Sequence, residues 1–582
     1  MTLRLSRAMT TLSRIPIDSS FTRFLSVHSH RIITYLTDVE GDKAYLERYV
    51  HQSKVLHLIE YKSKDLPYDW CIDFKDNHGE LIFGGDIWDK GGHDLFCIRQ
   101  LLDLKRRYPH RVHFIMGNRD LNKLRILNEL GIDQMPQHHG VYYLTGTGTP
   151  GDPLLPHAGI SQTCPIQRLQ WILTHTMGSP QAFQLRKLEL ESENEKADRP
   201  GTVTDDDVVQ SYRQSCHPKG EMGQYLHQAH LAFQLGALFV VHGALPLTPE
   251  VLQSADVSLY NNMEFAMPWR DSITEQEPAP TNVLDWIKST KLFAEAELLN
   301  WTASIAELEK SAGLPGDGIW AEQGDYHFPP TRVNSYCNLM QYGYGWTPNG
   351  KRNRTVVYSS WQTKGMPRRF FTGPNNTKDA PTSTFARMTS QFFDEANVQL
   401  ILSGHQPSGD MPTPIRVDTN KMILCCDTSY SGDTVWINDT SSGALRSNPG
   451  RGITMSGRGD LAVSEVLVEQ CRRTGDIISV ELHGVLSDGS KYEMKNVMSD
   501  DRVGQLMPAV SPVINEKTTL PINWWVKAKL GDGHDESFLL SSGEGYKVWN
   551  RILSKASIDE GRCWNSAPGR ETSSGAYRES SV

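Results

Sequence analysis

Five apolar runs in this chain end on side chains that bind divalent metals. They are Asp38 and Glu40 in TYLTDVEGD (34–42), Asp86 and Asp89 in LIFGGDIWDKGG (81–92), Asn118 in VHFIMGNRD (112–120), His242 in ALFVVHGAL (237–245) and His405 in LILSGHQP (400–407). Each run reads as a buried strand that breaks into a sharp turn and hands its loop a polar group. Carboxylates, a carboxamide and imidazoles together suit manganese, iron or zinc better than calcium. Two such ions about 3.5–4 Å apart repel one another, so the pocket needs a shared carboxylate, and Asp86 is the natural bridge. Asn118, His242 and His405 complete a mixed nitrogen and oxygen shell. The chemistry expected of two such ions is polarisation of phosphoryl oxygens and acidification of a bound water that becomes the nucleophile. Asp38 and Glu40 alternate along an extended segment, so both face one ion only if the turn at Gly41 redirects the chain. Asp89 reads as a residue that orients a neighbour by a hydrogen bond.

The elements that position these groups follow from periodicity. The turn at 38–42 leads into a helical pattern at Ala44, Leu46, Tyr49 and Val50, residues 94–107 carry leucines at helical spacing, and LNKLRILNEL follows Asn118. Three strand–loop–helix units in succession predict an α/β layered core with its ligands outside the carboxyl ends of the strands. Two insertions interrupt it, at about 131–235 and 246–384. In the first, 165–192 and 206–235 read as amphipathic helices around a charged loop, ESENEKADRPGTVTDDD; the second holds a helix near 281–312. A helix over 385–397 precedes LILSG. After His405, MILCCDTS, LAVSEVLVE and DIISVELHG alternate or run apolar and imply a second sheet, which strands in 436–562 complete or extend. The tail, 563–582, reads as disordered.

Composition sets outer limits. The 582 residues carry a net charge of −9, with 38% hydrophobic and 22% charged residues, an ordinary globular balance. A nucleic acid as main partner calls for a basic face, which this charge does not favour. The nine cysteines are scattered with no CxxC pair, as expected in a reducing compartment. No apolar run reaches the ~18 residues of a membrane span. A cytoplasmic location is expected; residues 1–31, with five arginines and one acid, alternatively form a mitochondrial or other organellar transit peptide.

The ordered set D-x-E-G, G-D-x-x-D-K-G, G-N-R-D, V-H-G and G-H-Q-P resembles the calcineurin-like metallophosphoesterase superfamily, closer to its Ser/Thr protein phosphatase branch than to the purple acid phosphatases. CCDTSYSG at 425–432 resembles a further segment of that branch, which brings Tyr430 near the site. The resemblance covers about 32–130, 237–245 and 385–435, inside a catalytic domain taken as 32–435. It implies a two-sheet β-sandwich flanked by helices, with Asp38, Glu40 and Asp86 on one ion and Asp86, Asn118, His242 and His405 on the other. It also implies Lys90 as a phosphate-binding cation.

Two departures from the family pattern matter. Glu40 stands where the family has a histidine, giving a harder, more anionic first site that tolerates magnesium or manganese better. Arg119 stands where the family has the histidine thought to protonate the leaving group, and an arginine stays protonated and cannot serve as that acid. Arg119, Lys90 and Asp89 are therefore expected around the phosphoryl group without a general acid. That predicts a preference for good leaving groups, phosphoanhydrides or aryl phosphates, unless an insertion supplies the acid through a residue such as His93 or His157. The rival reading is a catalytically degenerate relative that binds a phosphorylated ligand or protein without turnover.

Overall fold

The computed structural model describes residues 29–60, 68, 70–130, 164–198, 201–246, 280, 282–311, 337–348, 355–363, 366–367, 389–431, 434–437, 445–446, 457–458, 461–507, 524–530, 536–544 and 547–559. Residues 1–28 of the expected leader (1–31), His157 and the tail lie outside them, while His30 and Arg31, the last residues assigned to the leader, already belong to the first strand, His30–Leu36.

The chain folds as mixed α/β with several sheets. In chain order the strands of the two main sheets are β1 (His30–Leu36), β2 (Gly79–Phe83), β3 (Val112–Ile115), β4 (Ala229–His230), β5 (Ala232–Leu235), β6 (Leu238–Val241), β7 (Leu400–Ser403), β8 (Thr413–Asp418), β9 (Lys421–Cys425), β10 (Val463–Cys471), β11 (Ile477–Val485) and β12 (Lys491–Met494). The seven-stranded sheet runs β12-β11-β10-β1-β2-β3-β4, and the five-stranded sheet runs β8-β9-β7-β6-β5. β1 pairs parallel to β2, β2 to β3, and β3 to β4, while β7 lies parallel to both β6 and β9. These parallel strands are buried on both faces, which explains their nearly unbroken apolar sequences.

Side-chain alternation divides that burial. Ile33, Tyr35, Ile82 and Ile115 of the larger sheet meet Leu238, Val240, Leu400, Leu402, Met422 and Leu424 of the smaller in one apolar cluster. The opposite faces, carrying Leu81, Phe83 and Phe114 on one sheet and Phe239, Val241 and Ile401 on the other, pack against helical residues including Tyr45, Phe96, Leu101, Trp286 and Phe392.

The expected helices form where the 3.6-residue period predicts them, at Lys43–Gln52, Asp94–Arg107 and Val283–Ser311 and over 389–395. The first is capped by Asp42, whose Oδ1 accepts from Tyr45 N at 2.9 Å. The segment 165–192 breaks into Pro165–Trp171, a π turn at Ile172–Thr176, and Ala182–Lys196. The segment 206–235 is not one helix. Asp205–Cys216 and Glu221–Gln228 are separated around Pro218, and the last residues turn into β4 and β5, because Pro lacks the helical donor.

The strands after His405 divide between sheets. MILCC becomes β9 beside β7, but LAVSEVLVE and DIISVELHG become β10 and β11 of the larger sheet, with β10 antiparallel to β1 (Thr34 opposite Leu467). Strands Val435–Ile437, Leu445–Arg446, Trp525–Leu530, Ser537–Glu544 and Lys547–Ser554 make a further five-stranded sheet.

Candidate metal centre

Parallel strands carry their chains to one rim, and the ligand-type residues sit just beyond it: Asp38 after β1, Asp86 after β2, Asn118 after β3, His242 after β6 and His405 after β7. The turns there are unusual. Of the nine non-glycine residues with positive φ among those described, six lie here: Asp38 (51°), Glu40 (51°), Asp86 (55°), Asp89 (114°), His405 (71°) and Tyr430 (59°). Each such conformation costs about 1–3 kcal/mol, and strain of this kind gathers where function demands a geometry. The segment Asp38–Glu40 is therefore not extended; its left-handed turns redirect it.

Backbone bonds join the first two loops. Asp38 N donates to Gly85 O and Glu40 N to Asp86 O, both at 2.9 Å, and Lys90 N returns to Glu40 O at 2.9 Å. Two glycines let the other loops come as close. A Cβ on Gly85 (φ +99°) would lie 2.6 Å from Gly117 N, and one on Gly404 would lie 2.1 Å from Asp38 Oδ2. Asp120 ties the second loop to the third. Its buried carboxylate accepts from Gly117 N (2.8 Å), Asp86 N (2.9 Å) and Ile87 N (3.1 Å).

At the middle, ligand atoms of Asp38, Asp86 and His242 all lie within 4.8 Å of one another, and all three residues are buried. The Nδ1 of His242 is 2.8 Å from Gly84 O, a carbonyl that can only accept, so Nδ1 carries a proton and Nε2 is the nitrogen left to face the cluster. Nε2 lies 3.4 Å from Asp86 Oδ2 and 3.1 Å from Asn118 Oδ1. Asn118 Oδ1 lies 3.0 Å from His405 Nδ1. His405 N donates to both Asp38 oxygens at 3.2 Å, and the Thr37 hydroxyl donates to Asp38 Oδ2 at 2.6 Å.

The electrostatics call for a cation here. Burial, then the nearby Asp427, holds the Asp38 carboxyl well above its ordinary pKa, and among the described residues no lysine or arginine pairs with that carboxylate. Burial also acts on Asp86, but His242 and Arg119 outweigh it and hold that carboxyl below the usual range. Burial would lower His242, yet Asp86 and Asp38 lift it to about 10. Burial and the neighbouring His242 push His405 down to about 3.

Beside this cluster stands an ion-pair network. Glu40 Oε1 takes Lys90 Nζ at 2.9 Å and Arg119 Nε at 3.0 Å, while its buried Oε2 has no hydrogen-bond partner. That orphaned oxygen and the uncompensated Asp38 fit a divalent ion. Arg119 also lies 3.7 Å from Asp86 Oδ2 and 3.4 Å from Asp89 Oδ2, and it donates to Met177 O (3.2 Å) and Ser179 Oγ (3.3 Å). Asp89 is held from behind by the buried Lys123, with Nζ at 2.7 Å and 2.8 Å from its two oxygens. Lys90 donates to Tyr430 Oη at 3.1 Å.

The nine residues read from sequence thus stand in two adjoining groups. Asp38, Asp86, Asn118, His242 and His405 touch one another; Glu40, Asp89, Lys90 and Arg119 form the network alongside, joined through Arg119. His93 stands exposed at the N-cap position of the helix Asp94–Arg107, without a side-chain capping bond.

Sequence reasoning overlooked Asp120, Lys123 and Asp427. Asp427 is buried at the end of β9, where its Oδ1 accepts from Ser429 N at 2.7 Å. The signal was present in CCDTS, an apolar strand ending on an acid. Arg458, also overlooked, is buried with its guanidinium bonded to Asp38 O and 4.0 Å from the Tyr45 ring.

No family model and no curated protein matches this chain. Solved structures overlap it weakly. A cold-active protein-tyrosine phosphatase of a psychrophile, Shewanella sp., overlaps 80% of each chain at 13% identity and a TM-score of 0.31. A protein serine/threonine phosphatase from Saccharomyces cerevisiae, with similarity to human phosphatase PP5, covers 82% of this chain and 85% of its own at 12% identity and a TM-score of 0.26. Likenesses this weak carry no functional weight; the ligand geometry does.

Proposed function

We propose that this chain is a metal-dependent phosphoesterase of the calcineurin-like kind, built on a two-sheet sandwich, that hydrolyses phosphate esters or phosphoanhydrides. The observation that carries the reading is the buried meeting of Asp38, Asp86 and His242, with Asn118 and His405 in contact and two cations alongside.

Asp38, Asp86, Asn118, His242 and His405 would hold two divalent ions, with Asp86 shared and the free oxygen of Glu40 as a further ligand. Manganese, iron, zinc or magnesium suits these donors. When bound, such ions supply Lewis-acid polarisation of the phosphoryl group and a more acidic attacking water. Arg119 and Lys90 stabilise charge on the phosphoryl oxygens, and Asp89, fixed by Lys123, aims the guanidinium. With an ion bound, His242 would turn its Nε2 lone pair inward, because Gly84 O holds the Nδ1 proton. Arg119 gives up no proton, so the leaving group departs without acid from that position.

The test is metal analysis of the full chain together with hydrolysis of a generic aryl phosphate. Bound ion with turnover that Asp86→Asn abolishes supports the enzyme. Bound ion without turnover on any phosphate compound would replace it with the phospho-ligand binder.

A further inference from the structure

Tyr358 belongs to neither group of side chains above. It lies in the second insertion, on a segment whose other members are buried: Thr355, Val356 and Val357 are 0% exposed and Ser359 3%, whereas Tyr358 is 40% exposed. A lone exposed aromatic is ordinary on a protein surface, but this one is held in place. Gly243 N, directly after His242, donates to Val356 O at 2.8 Å, and Tyr358 N and Ser359 N turn back to Thr355 O at 3.3 and 3.0 Å. A Cβ on Gly243 would stand 2.3 Å from Ser359 O. The V-H-G glycine is thus what lets the insertion dock against the end of β6.

Docking brings the Tyr358 ring to 5.3 Å, centroid to centroid, from the ring of His405, tilted 49°. On another side the ring packs on Gly345 (φ +85°), where any Cβ would come within 2.8 Å of it. A firmly seated ring with an open surface therefore stands at the edge of the ligand cluster, within the ~4.5–7 Å range of aromatic contact. A group bonded directly to a phosphoryl oxygen held at the cluster would be the part of a substrate nearest this edge, whereas a nucleobase, separated from the terminal phosphorus by further phosphates and a sugar, would lie farther out.

We propose that Tyr358 is a wall for an aromatic leaving group, which makes aryl phosphate monoesters, phosphotyrosyl side chains among them, the preferred substrates. This rests on the phosphoesterase reading. Hydrolysis forms a bond from a water oxygen to phosphorus and breaks the bond from phosphorus to the phenolic oxygen. The electron pair leaves on that oxygen, and the proton released by water passes to solvent, from which the phenolate is reprotonated. A phenol ionises near pH 10, so it departs without the acid that Arg119 lacks. An alkoxide, far more basic, depends on that acid.

The experiment measures kcat/KM of the full chain with manganese on phenyl phosphate, phosphotyrosine, phosphoserine and pyrophosphate, for the native protein, Tyr358→Phe and Tyr358→Leu. Calorimetric binding of phenylphosphonate against methylphosphonate runs in parallel. The native chain is expected to favour the aryl compounds over phosphoserine. Tyr358→Leu should lower the aryl-to-pyrophosphate ratio about 2- to 10-fold and erase the phenylphosphonate advantage, and Tyr358→Phe should keep both. An unchanged ratio in Tyr358→Leu, or a native preference for phosphoserine, overturns the proposal and leaves the phosphoesterase standing. No turnover of any compound overturns both.

Discussion

Replacing Asp120 by alanine tests whether the ligand loops are held from behind. Three backbone donors converge on this carboxylate, from Gly117, Asp86 and Ile87, at 2.8, 2.9 and 3.1 Å. Two of the three belong to the loop that aims Asp86. Each buried N–H left without an acceptor costs about 1–3 kcal/mol. Water entering the space left by the side chain recovers part of this, so the expected loss is about 3–6 kcal/mol, against a total stability of about 5–15 kcal/mol for an ordinary domain. Metal affinity should fall as well, because outer partners of metal ligands typically contribute 10- to 100-fold. Asp120→Asn keeps one acceptor oxygen and sets an amide against the remaining donors, so it should fall between. The assays are urea unfolding of the metal-free chain and calorimetric titration with manganese. A Asp120→Ala protein within about 1 kcal/mol of the native one and with unchanged metal affinity would refute the reasoning.

Three other perturbations follow from the same geometry. Lys123→Met leaves the buried Asp89 carboxylate, among the described residues, with the Arg119 guanidinium 3.4 Å away as its one cationic partner; breaking such a pair costs about 3–5 kcal/mol, read by unfolding midpoint, and Asp89→Asn added to it should recover part. Gly404→Ala places a carbon 2.1 Å from Asp38 Oδ2, so manganese titration should show weakened binding while far-ultraviolet circular dichroism stays native. Between β10 and β11, burial opposes charge on His483, but its bond to Glu465 (3.0 Å) raises its pKa above the ordinary value. A folded pKa above the unfolded one contributes stability that is full at pH below the unfolded value, about 6.5, and is lost as pH rises through the folded one. Unfolding free energy should therefore fall over that rise in the native chain and change less in His483→Gln.

The five strand ends were legible because parallel strands are apolar throughout, and the break to a polar ligand after each is a local event that needs no partner to be seen. Sheet membership was not legible. LAVSEVLVE alternates like any half-buried strand, and nothing local says that it pairs with β1 more than 430 residues earlier, where Thr34 Oγ1 donates to Glu465 Oε1 at 2.6 Å. The segment 206–235 misled because its apolar spacing continues through the proline break. Asp120 was visible in G-N-R-D but reads as helix-start composition. Its three donors come from two loops that meet only in the fold. Glu40 was read as a ligand from its place in the motif; that one of its oxygens is claimed by Lys90 and Arg119 depends on how those loops turn.

The most direct test of the metal centre is anomalous X-ray diffraction from crystals of the full chain grown with manganese. Anomalous density is expected among Asp38, Asp86 and the Nε2 of His242, and its loss in Asp86→Asn. Density elsewhere, or none at saturating manganese, would contradict the proposed metal centre.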